Sequence, residues 1–417
     1  MPRNVRSDRW PLAAVTAIGL AVRLVSLLFS KHTLVLGDAL FYHVQANVLA
    51  SGRGFINPLQ WEFFHRVVAT AEHPPLYPLV LSVVSLVGGR SVLAHQTASC
   101  VLGSATVAVV ALAGRRIAGP RVGLLAGAVA AFYPNLWLND TQVMSETVYA
   151  LTLALFLVAV YRFHDRQSVA SAALMGGAVG LAALTRTEAL ALIVIVAIPV
   201  VLVKSELPAG RRAVSAGAAV AAALVVLSPW AVRSLVTFDR PVVLTINADT
   251  ALAGANCPAA YNGAGTGSWV FTCGAAVKIS GDESDQAATL RRHALDYVTA
   301  HLGRVPFVLL AREGRTWSVF RPLRDDSEPR GTTAWLRVVS FFAVTPFSVT
   351  GVWLLRRRGR LTLPLIGMAV LSAVSAATAY GAMRFRLPCE VALVILTAVA
   401  IDAVLPWQEA AVAPAPG

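Results

Sequence analysis

The residues able to do chemistry gather in a few short stretches of an otherwise apolar sequence. Asp38 lies in GDALFYHVQANVLASG, Glu72 and His73 in AEHPPLYP, and Asp140 and Glu146 in YPNLWLNDTQVMSETVYA. Arg186 and Glu188 lie in LTRTEALAL, and Arg384 and Arg386 in AMRFRLP. A carboxylate can act as a general base or hold a metal ion. A guanidinium grips a phosphate through two parallel hydrogen bonds. Acids and arginines together fit a substrate that carries a phosphate and a partner that must lose a proton.

Each stretch also has a plainer reading. Asp38 follows Gly37 at the start of a helical run. It either caps that helix or, with Tyr42 and Gln45 at i, i+4 and i+7, faces a cavity. Glu72 is a surface charge at the rigid entry made by Pro74, Pro75 and Pro78, or a second acid beside Asp38. His73 and His65 are hydrogen-bonding loop histidines or metal ligands. Ser145 caps the apolar run that follows it, or Glu146 enters the site. Arg186 and Glu188 are a structural ion pair or part of that site. Arg384 and Arg386 touch lipid headgroups, as span-end arginines commonly do, or grip the substrate.

The elements that must position these residues are membrane helices. Of the 417 residues, 56% are hydrophobic and 14% charged, against roughly 25% charged in a soluble domain. That excludes a soluble enzyme, a disordered chain and a small disulfide scaffold. The net charge is +13, but the basic residues sit in clusters between apolar runs, the positive-inside pattern and not a nucleic-acid surface. There is no glycine-rich phosphate loop, no CxxC and no HExxH.

Ten spans are expected, at 10–30, 91–113, 121–134, 146–161, 168–185, 189–203, 213–232, 334–355, 361–380 and 389–406. The run 76–88 falls below the ~17 residues needed to cross. Leaving it out, with the N-terminus inside, puts five basic clusters on the cytoplasmic side. They are Arg3/Arg6/Arg9, Arg115/Arg116/Arg121, Arg162/Arg166, Lys204/Arg211/Arg212 and Arg356/Arg357/Arg358/Arg360. Both termini are then inside, and the chemical residues lie at the outer ends of the spans, with His43, Asn139 and Arg233. No small-residue cleavage site follows the first span, so it reads as an anchor. Arg23 within it faces protein or snorkels.

The expected division is a transmembrane module, 1–236, whose first outer loop (31–90) is catalytic, then an outer segment, 237–333, then C-terminal spans, 334–417. Cys257 and Cys273 of the outer segment are free to pair in an oxidising compartment. Cys100 and Cys389 read as buried small hydrophobes. Residues 287–302 read as helix. Residues 303–322 are amphipathic and basic, and are expected to lie flat on the outer surface with Arg and Trp among headgroups.

Eight segments in order carry a resemblance: GDALFYHVQANVLASG, EHPPLYPLVLSVVSLVGG, GRRIAGPRVGLLAGAVAAFYP, MSETVYALTLAL, LAALTRTEAL, SPWAVRSLVTFDRPVVLTINADTALAGAN, HALDYVTAHLGRVPFVLLAREGRTW and MRFRLP. Together they resemble the bacterial relatives of protein O-mannosyltransferases and lipid A aminoarabinose transferases, membrane glycosyltransferases of the GT-C fold. No single segment is specific, but the series covers most of residues 10–405. The resemblance implies an all-α multi-span bundle with a helical first outer loop. It implies a polyprenyl-phosphate sugar as donor and transfer with inversion. Asp38 would deprotonate or orient the acceptor hydroxyl, Glu72 would be the second acid, and Glu146 stands where related oligosaccharyltransferases carry a metal-binding acid. The arginines would hold the donor phosphate.

The candidate site is thus Asp38 and Glu72 as catalytic acids, with Tyr42, His73, Glu146, Arg186, Glu188, Arg384 and Arg386 around the substrate. No cofactor is required. A divalent metal is compatible with the acids, but no ligand spacing demands one. The chain is shorter than many relatives, and Asp38-Ala39 stands where protein mannosyltransferases have Asp-Glu, which counts against a protein acceptor.

The expected function is sugar transfer to a glycan, lipid or protein hydroxyl on the outer face of a bacterial plasma membrane. Competing readings are a flippase for a polyprenyl-linked sugar and an inactive partner of an envelope complex. A flippase would place polar residues at mid-span on broken, repeated helices, and the sequence has no internal repeat.

Overall fold

The computed structural model describes residues 9–34, 37–275, 277, 280–323 and 331–405. Arg3 and Arg6 of the first basic cluster lie outside these residues. The described chain is helical, with one antiparallel bridge between Ile56 and Ala69. The N-terminal part holds α1 (Arg9–Leu28), α2 (Asp38–Ala50), α3 (Pro58–Phe64), α4 (Leu76–Leu86), α5 (Val92–Ala118), α6 (Pro120–Phe132), α7 (Pro134–Asp140), α8 (Glu146–Arg166) and α9 (Val169–Ala183). Thr187–Val203 continues as a 3-10 turn and a π turn before α10 (Ile198–Val203), and α11 (Ala209–Thr237) follows. Pro199 offers no N–H to the ladder there, consistent with the irregular turn. Beyond these come α12 (Asn247–Ala255), α13 (Pro258–Tyr261), α14 (Phe271–Ala275), α15 (Glu283–Ala300), α16 (Val305–Thr316), α17 (Thr332–Arg357), α18 (Leu363–Thr378) and α19 (Leu387–Val404).

Every expected span coincides with helix. Six are long and apolar enough to cross a bilayer, or seven if α6 and α7, bent by 55°, form one span. Val169–Ala183, Thr187–Val203 and Leu363–Thr378 are shorter apolar helices. So is α4, whose 11 residues reach about 16 Å, half of a ~30 Å hydrocarbon core. The chain is a multi-pass membrane protein.

Hydropathy and burial diverge in an instructive way. In α19 every residue from Leu387 to Ala400 is buried, so this helix is the axis of the bundle. In α1 only 17% of the apolar window is buried, which leaves the rest facing outward. Close packing depends on small residues, because lipid supplies no hydrophobic drive between helices. A Cβ on Gly351 of α17 would meet the Leu396 carbonyl of α19, and one on Gly176 would meet the Ala219 backbone of α11.

The polar residues sort to two ends. At one end Arg116 pairs with Asp165, the Gln167 side chain accepts from Glu206 N–H, and Tyr161 donates to the Leu361 carbonyl. The basic clusters around 115, 165 and 204 therefore share that end. The N-terminus of α8 marks the opposite end, where the first loop and the segment after α11 meet. Arg23 faces protein, bonded to Asp140 with Nε–Oδ2 2.6 Å.

Cys257 and Cys273 are joined in a disulfide. The expectation that 303–322 turns its arginines outward is corrected for Arg312 and Arg315. Arg312 and Arg315 of α16 are buried and donate to carbonyls of Ala255, Ala377, Ala264 and Thr266. Leu302, Phe307, Leu310 and Val319 are exposed, as is Arg304, whose guanidinium lies over Phe307. The guanidiniums point inward to carbonyls that need donors, those of Ala255, Ala264 and Thr266 and that of Ala377 at the end of α18.

Candidate active site

Gly37, with φ 142°, makes the turn that starts α2, a left-handed backbone that favours glycine. Gly37 is the N-cap of α2, so Asp38 is the first residue of the helix and not its cap. Its Oδ2 accepts from Arg384 Nη1 at 3.0 Å, and its Oδ1 faces His73 Nε2 at 3.7 Å. Arg384 stands on the 3-10 turn Met383–Arg386, immediately before α19. Its Nε donates to Glu146 Oε1 at 2.7 Å, the same oxygen that accepts from Arg186 Nη1 at 2.8 Å. Arg186 Nε then donates to Glu188 Oε1 at 2.6 Å. Five side chains of alternating sign, Asp38–Arg384–Glu146–Arg186–Glu188, thus form one row across four separate parts of the sequence.

The row is open at one end. Glu146 is the buried hub, with 2% of its side chain exposed, whereas Asp38 keeps 32%. Glu146 is also the first residue of α8, where the positive end of the helix dipole favours a carboxylate. Ser145 makes no cap bond and instead contacts Glu146 Oε2, so the capping reading fails there too. Phe385 lies 5.1 Å from the Arg186 guanidinium, and Tyr380 packs edge-on to Phe385.

Glu72 and His73 are held by backbone from two directions. Arg233 donates to the carbonyls of Thr70 and Phe55. Glu283 accepts from Ala71 N–H and the Asn57 amide. Thr245 donates to the Glu72 carbonyl, and Ile246 N–H to that of Ala71. Asn247 reaches Glu72 Oε1 at 3.5 Å and His73 Nδ1 at 3.3 Å. The His73 ring packs 4.8 Å from both Phe41 and Tyr42, and Tyr42 packs on Tyr77.

The two acids of the first loop are driven apart. Burial alone would raise Asp38, but the Arg384 guanidinium, with His73 and Arg186 near, holds its carboxyl at about 2. Burial, with Glu283 and Asp38 nearby, pushes the Glu72 carboxyl up to about 8. Burial also lowers His73 against the pull of Asp38, and raises the Tyr42 hydroxyl. One acid is ionised and the other protonated at neutral pH, the arrangement that lets neighbouring carboxyls take different parts in proton transfer.

Asp38, Tyr42, Glu72, His73, Glu146, Arg186, Glu188 and Arg384 therefore come together. Arg386 does not. It is fully buried, pairs with Glu390 one turn on, donates to Thr316 and Ser318, and lies over Phe341. Its assignment to the substrate is corrected: two residues along a tight turn separate it from Arg384 by direction. Gln45 turns away as well, to the Gly54 carbonyl. His65 ends α3 in the left-handed region beside Trp61, and His43 pairs with His95. Sequence reasoning missed Asn247, Thr245 and Glu283. They sit in the outer segment, where no local pattern announces a contact with residues about 170–210 positions earlier.

A divalent ion does not fit the row as it stands. Glu146 Oε1 is taken by two guanidiniums and Asp38 by Arg384 and His73. Among the described residues, the one three-acid group within metal reach is Asp239, Asp282 and Asp285, and Asp282 caps α15.

The family model described as dolichyl-phosphate-mannose-protein mannosyltransferase matches residues 72–232. No curated protein matches the chain. Among solved structures, the Archaeoglobus fulgidus oligosaccharyltransferase AglB, in complex with an inhibitory peptide and a dolichol-phosphate, is 14% identical with a TM-score of 0.56. That likeness covers 96% of this chain and 51% of AglB, so the chain spans about half the length of that relative. The apo form of the same enzyme gives a TM-score of 0.55 over 95% of this chain and 50% of the enzyme, again at 14% identity. ArnT from Cupriavidus metallidurans, bound to undecaprenyl phosphate, is 18% identical over 94% of this chain and 78% of its own, with a TM-score of 0.43. The chain thus shares the fold of the AglB oligosaccharyltransferase, a GT-C fold, and its residues 72–232 match the mannosyltransferase family model.

Proposed function

We propose that the protein transfers a sugar from a polyprenyl phosphate to an acceptor hydroxyl, with inversion, at the outer face of a bacterial plasma membrane. The observation that carries this reading is the row in which Asp38, faced by His73, and Glu146 converge on Arg384 and Arg186. In the reaction the acceptor oxygen forms a bond to the anomeric carbon and gives its proton to the Asp38 carboxylate. The bond from that carbon to the phosphate oxygen breaks, and its electron pair leaves on the polyprenyl phosphate. Arg384 and Arg186 stand where they can answer the new charge on that phosphate. They are pre-set by Glu146 and need little reorganisation.

The topology belongs to the same proposal. Ten spans, counting the three shorter helices, put both termini and the basic end inside. The row and the segment 237–333 are then outside, and the disulfide is in keeping with an oxidising compartment. The division into 1–236, 237–333 and 334–417 follows those spans. Support for a lipid-linked donor comes from the dolichol-phosphate bound to AglB. The acceptor class is a cell-envelope glycan, lipid or protein.

The test is release of free polyprenyl phosphate by the protein in lipid. A panel of polyprenyl-phosphate sugars is offered with a crude envelope extract, for wild type and Asp38→Asn. Release by wild type alone establishes the transfer and identifies the sugar. Equal release by both removes Asp38 from the reaction. No release from any donor by folded protein favours the flippase reading.

A further inference from the structure

We propose that Asn247 is a positioning residue: its amide NH2 fixes His73 as the Nε2–H tautomer and so aims that N–H at the Asp38 carboxylate. This inference rests on the reading of Asp38 as the base, but its first readout does not.

Asn247, His73 and Asp38 form a short chain of groups. An amide NH2 has two hydrogens to give and no lone pair to offer. Asn247 Nδ2 lies 3.3 Å from His73 Nδ1 and 3.5 Å from Glu72 Oε1. With NH2 on that side, Nδ1 must accept, and the single proton of a neutral imidazole goes to Nε2. From the other end, Asp38 Oδ2 already accepts from Arg384, so its carboxylate is an acceptor. Oδ1 faces Nε2 at 3.7 Å and is served only if Nε2 carries the proton. The opposite amide orientation would put the proton on Nδ1 and leave a bare Nε2 against the Asp38 carboxylate. The Asp38 end thus selects the tautomer that the Asn247 NH2 supports. The 3.7 Å gap is wider than a hydrogen bond, as catalytic contacts often are before substrate closes them.

The side chain that does this comes from the outer segment, not from the first loop. Thr245 and Ile246 anchor the backbone beside it to Glu72 and Ala71. Asn247 is itself the first residue of α12. His73 has 9% of its side chain exposed and is walled by Phe41 and Tyr42, so no water competes easily for Nδ1. The charged and titratable groups around it are Asp38 and Tyr42 from α2, Glu72 beside it, Glu146 from α8, and Arg186 and Arg384.

The experiment uses the full chain in lipid nanodiscs with isotope-labelled histidine. His73→Gln identifies the His73 signals by their loss. The expected wild-type spectrum at neutral pH has Nε2 protonated and Nδ1 bare. Asn247→Leu, which keeps the shape and removes the donor, should give a mixture of tautomers. It should also lower polyprenyl-phosphate release about 10–100-fold, the range for residues that fix a histidine's orientation. Asn247→Asp supplies an acceptor to Nδ1, so His73 should hold two protons to a higher pH. Unchanged His43 and His95 signals in each variant report an intact fold. A wild-type His73 protonated at Nδ1, or a tautomer unmoved by Asn247→Leu, overturns the inference. So does an altered tautomer with unchanged release. The expected tautomer in a protein that turns over no donor supports the assignment and instead defeats the transferase reading.

Discussion

Arg384 and Arg386 stand two residues apart on one turn and live in different worlds. Arg384 bridges two acids from distant helices, at the open end of a row in which Asp38 keeps a third of its side chain exposed. Arg386 is sealed: its Nε donates to Glu390 and its Nη1 to Thr316 and Ser318, while its buried Nη2 has no protein partner among the described residues. Arg23–Asp140 repeats the sealed pattern, with 1% and 3% of the side chains exposed. Residue type is the same in all three, and Arg384 and Arg386 share a span end as well. What differs is whether each charge is matched one to one or shared along a row. A one-to-one pair is charge-balanced as it stands, and here it is closed to a ligand by burial. A shared row can exchange one carboxylate for a phosphate and remain charge-balanced, which is what a site for a leaving phosphate needs.

Breaking the row at its open end should have the largest effect. Asp38→Asn is expected to cut turnover by about 10²–10⁴-fold, the usual range for a lost general base. Thermal unfolding in detergent should move little, because Asp38 is partly exposed and Arg384 keeps Glu146. A fall in stability that matched the fall in turnover would make Asp38 a structural residue. Breaking a sealed pair should do the reverse. Arg386→Met strands Glu390 and should cost about 3–5 kcal/mol of stability. Turnover per folded molecule should stay near wild type. The double change Arg386→Met, Glu390→Leu should recover most of that loss, since apolar replacement of a buried pair is often neutral or better. If the double variant folds normally but loses turnover, the two regions are coupled and the contrast drawn here is wrong.

The contrast also shows which parts were legible. The spans were readable because apolar length is a local property, and each expected span is helix. The first-loop acids were readable because Gly37-Asp38 and the proline run at 74–75 mark the ends of helices in otherwise apolar surroundings. Arg386 was misassigned because adjacency in sequence says nothing about direction on a 3-10 turn, where each residue rotates by about 120°. Asn247 and Glu283 were invisible because their role exists only once two outer segments pack. The inward turn of Arg312 and Arg315 has the same origin: amphipathicity locates a polar face but does not say whether it meets headgroups or unsatisfied carbonyls.

The disulfide offers a smaller and more local break. Closing Cys257 to Cys273 spans 16 residues, worth up to about 3 kcal/mol in the chain-entropy view. Cys257→Ser with Cys273→Ser should therefore raise amide exchange in 250–275 and leave the bundle protected. Arg312 and Arg315 still tie this segment down, so turnover should fall less than in Asp38→Asn. Loss of exchange protection throughout α5, α8 and α19 would show that the outer segment is part of the bundle's core and not a cover on its site.

Glu72 gives the mildest break and the finest discrimination. Its carboxyl is pushed up to about 8 in the folded protein, against an ordinary value near 4.5. The folded state therefore keeps a proton that the unfolded chain releases earlier, and stability falls as the pH climbs from about 4.5 through about 8. Below that window both states are protonated and the effect vanishes. Glu72→Gln imitates the protonated form, so it should flatten this slope and remove an alkaline limb of turnover near pH 8. Turnover at neutral pH should change little. Asp38, held at about 2 by Arg384, should contribute no acidic limb over the same range. If Glu72→Gln instead abolishes turnover at every pH, Glu72 acts as an ionised group, and the two acids of the first loop share one role where the structure divides it between them.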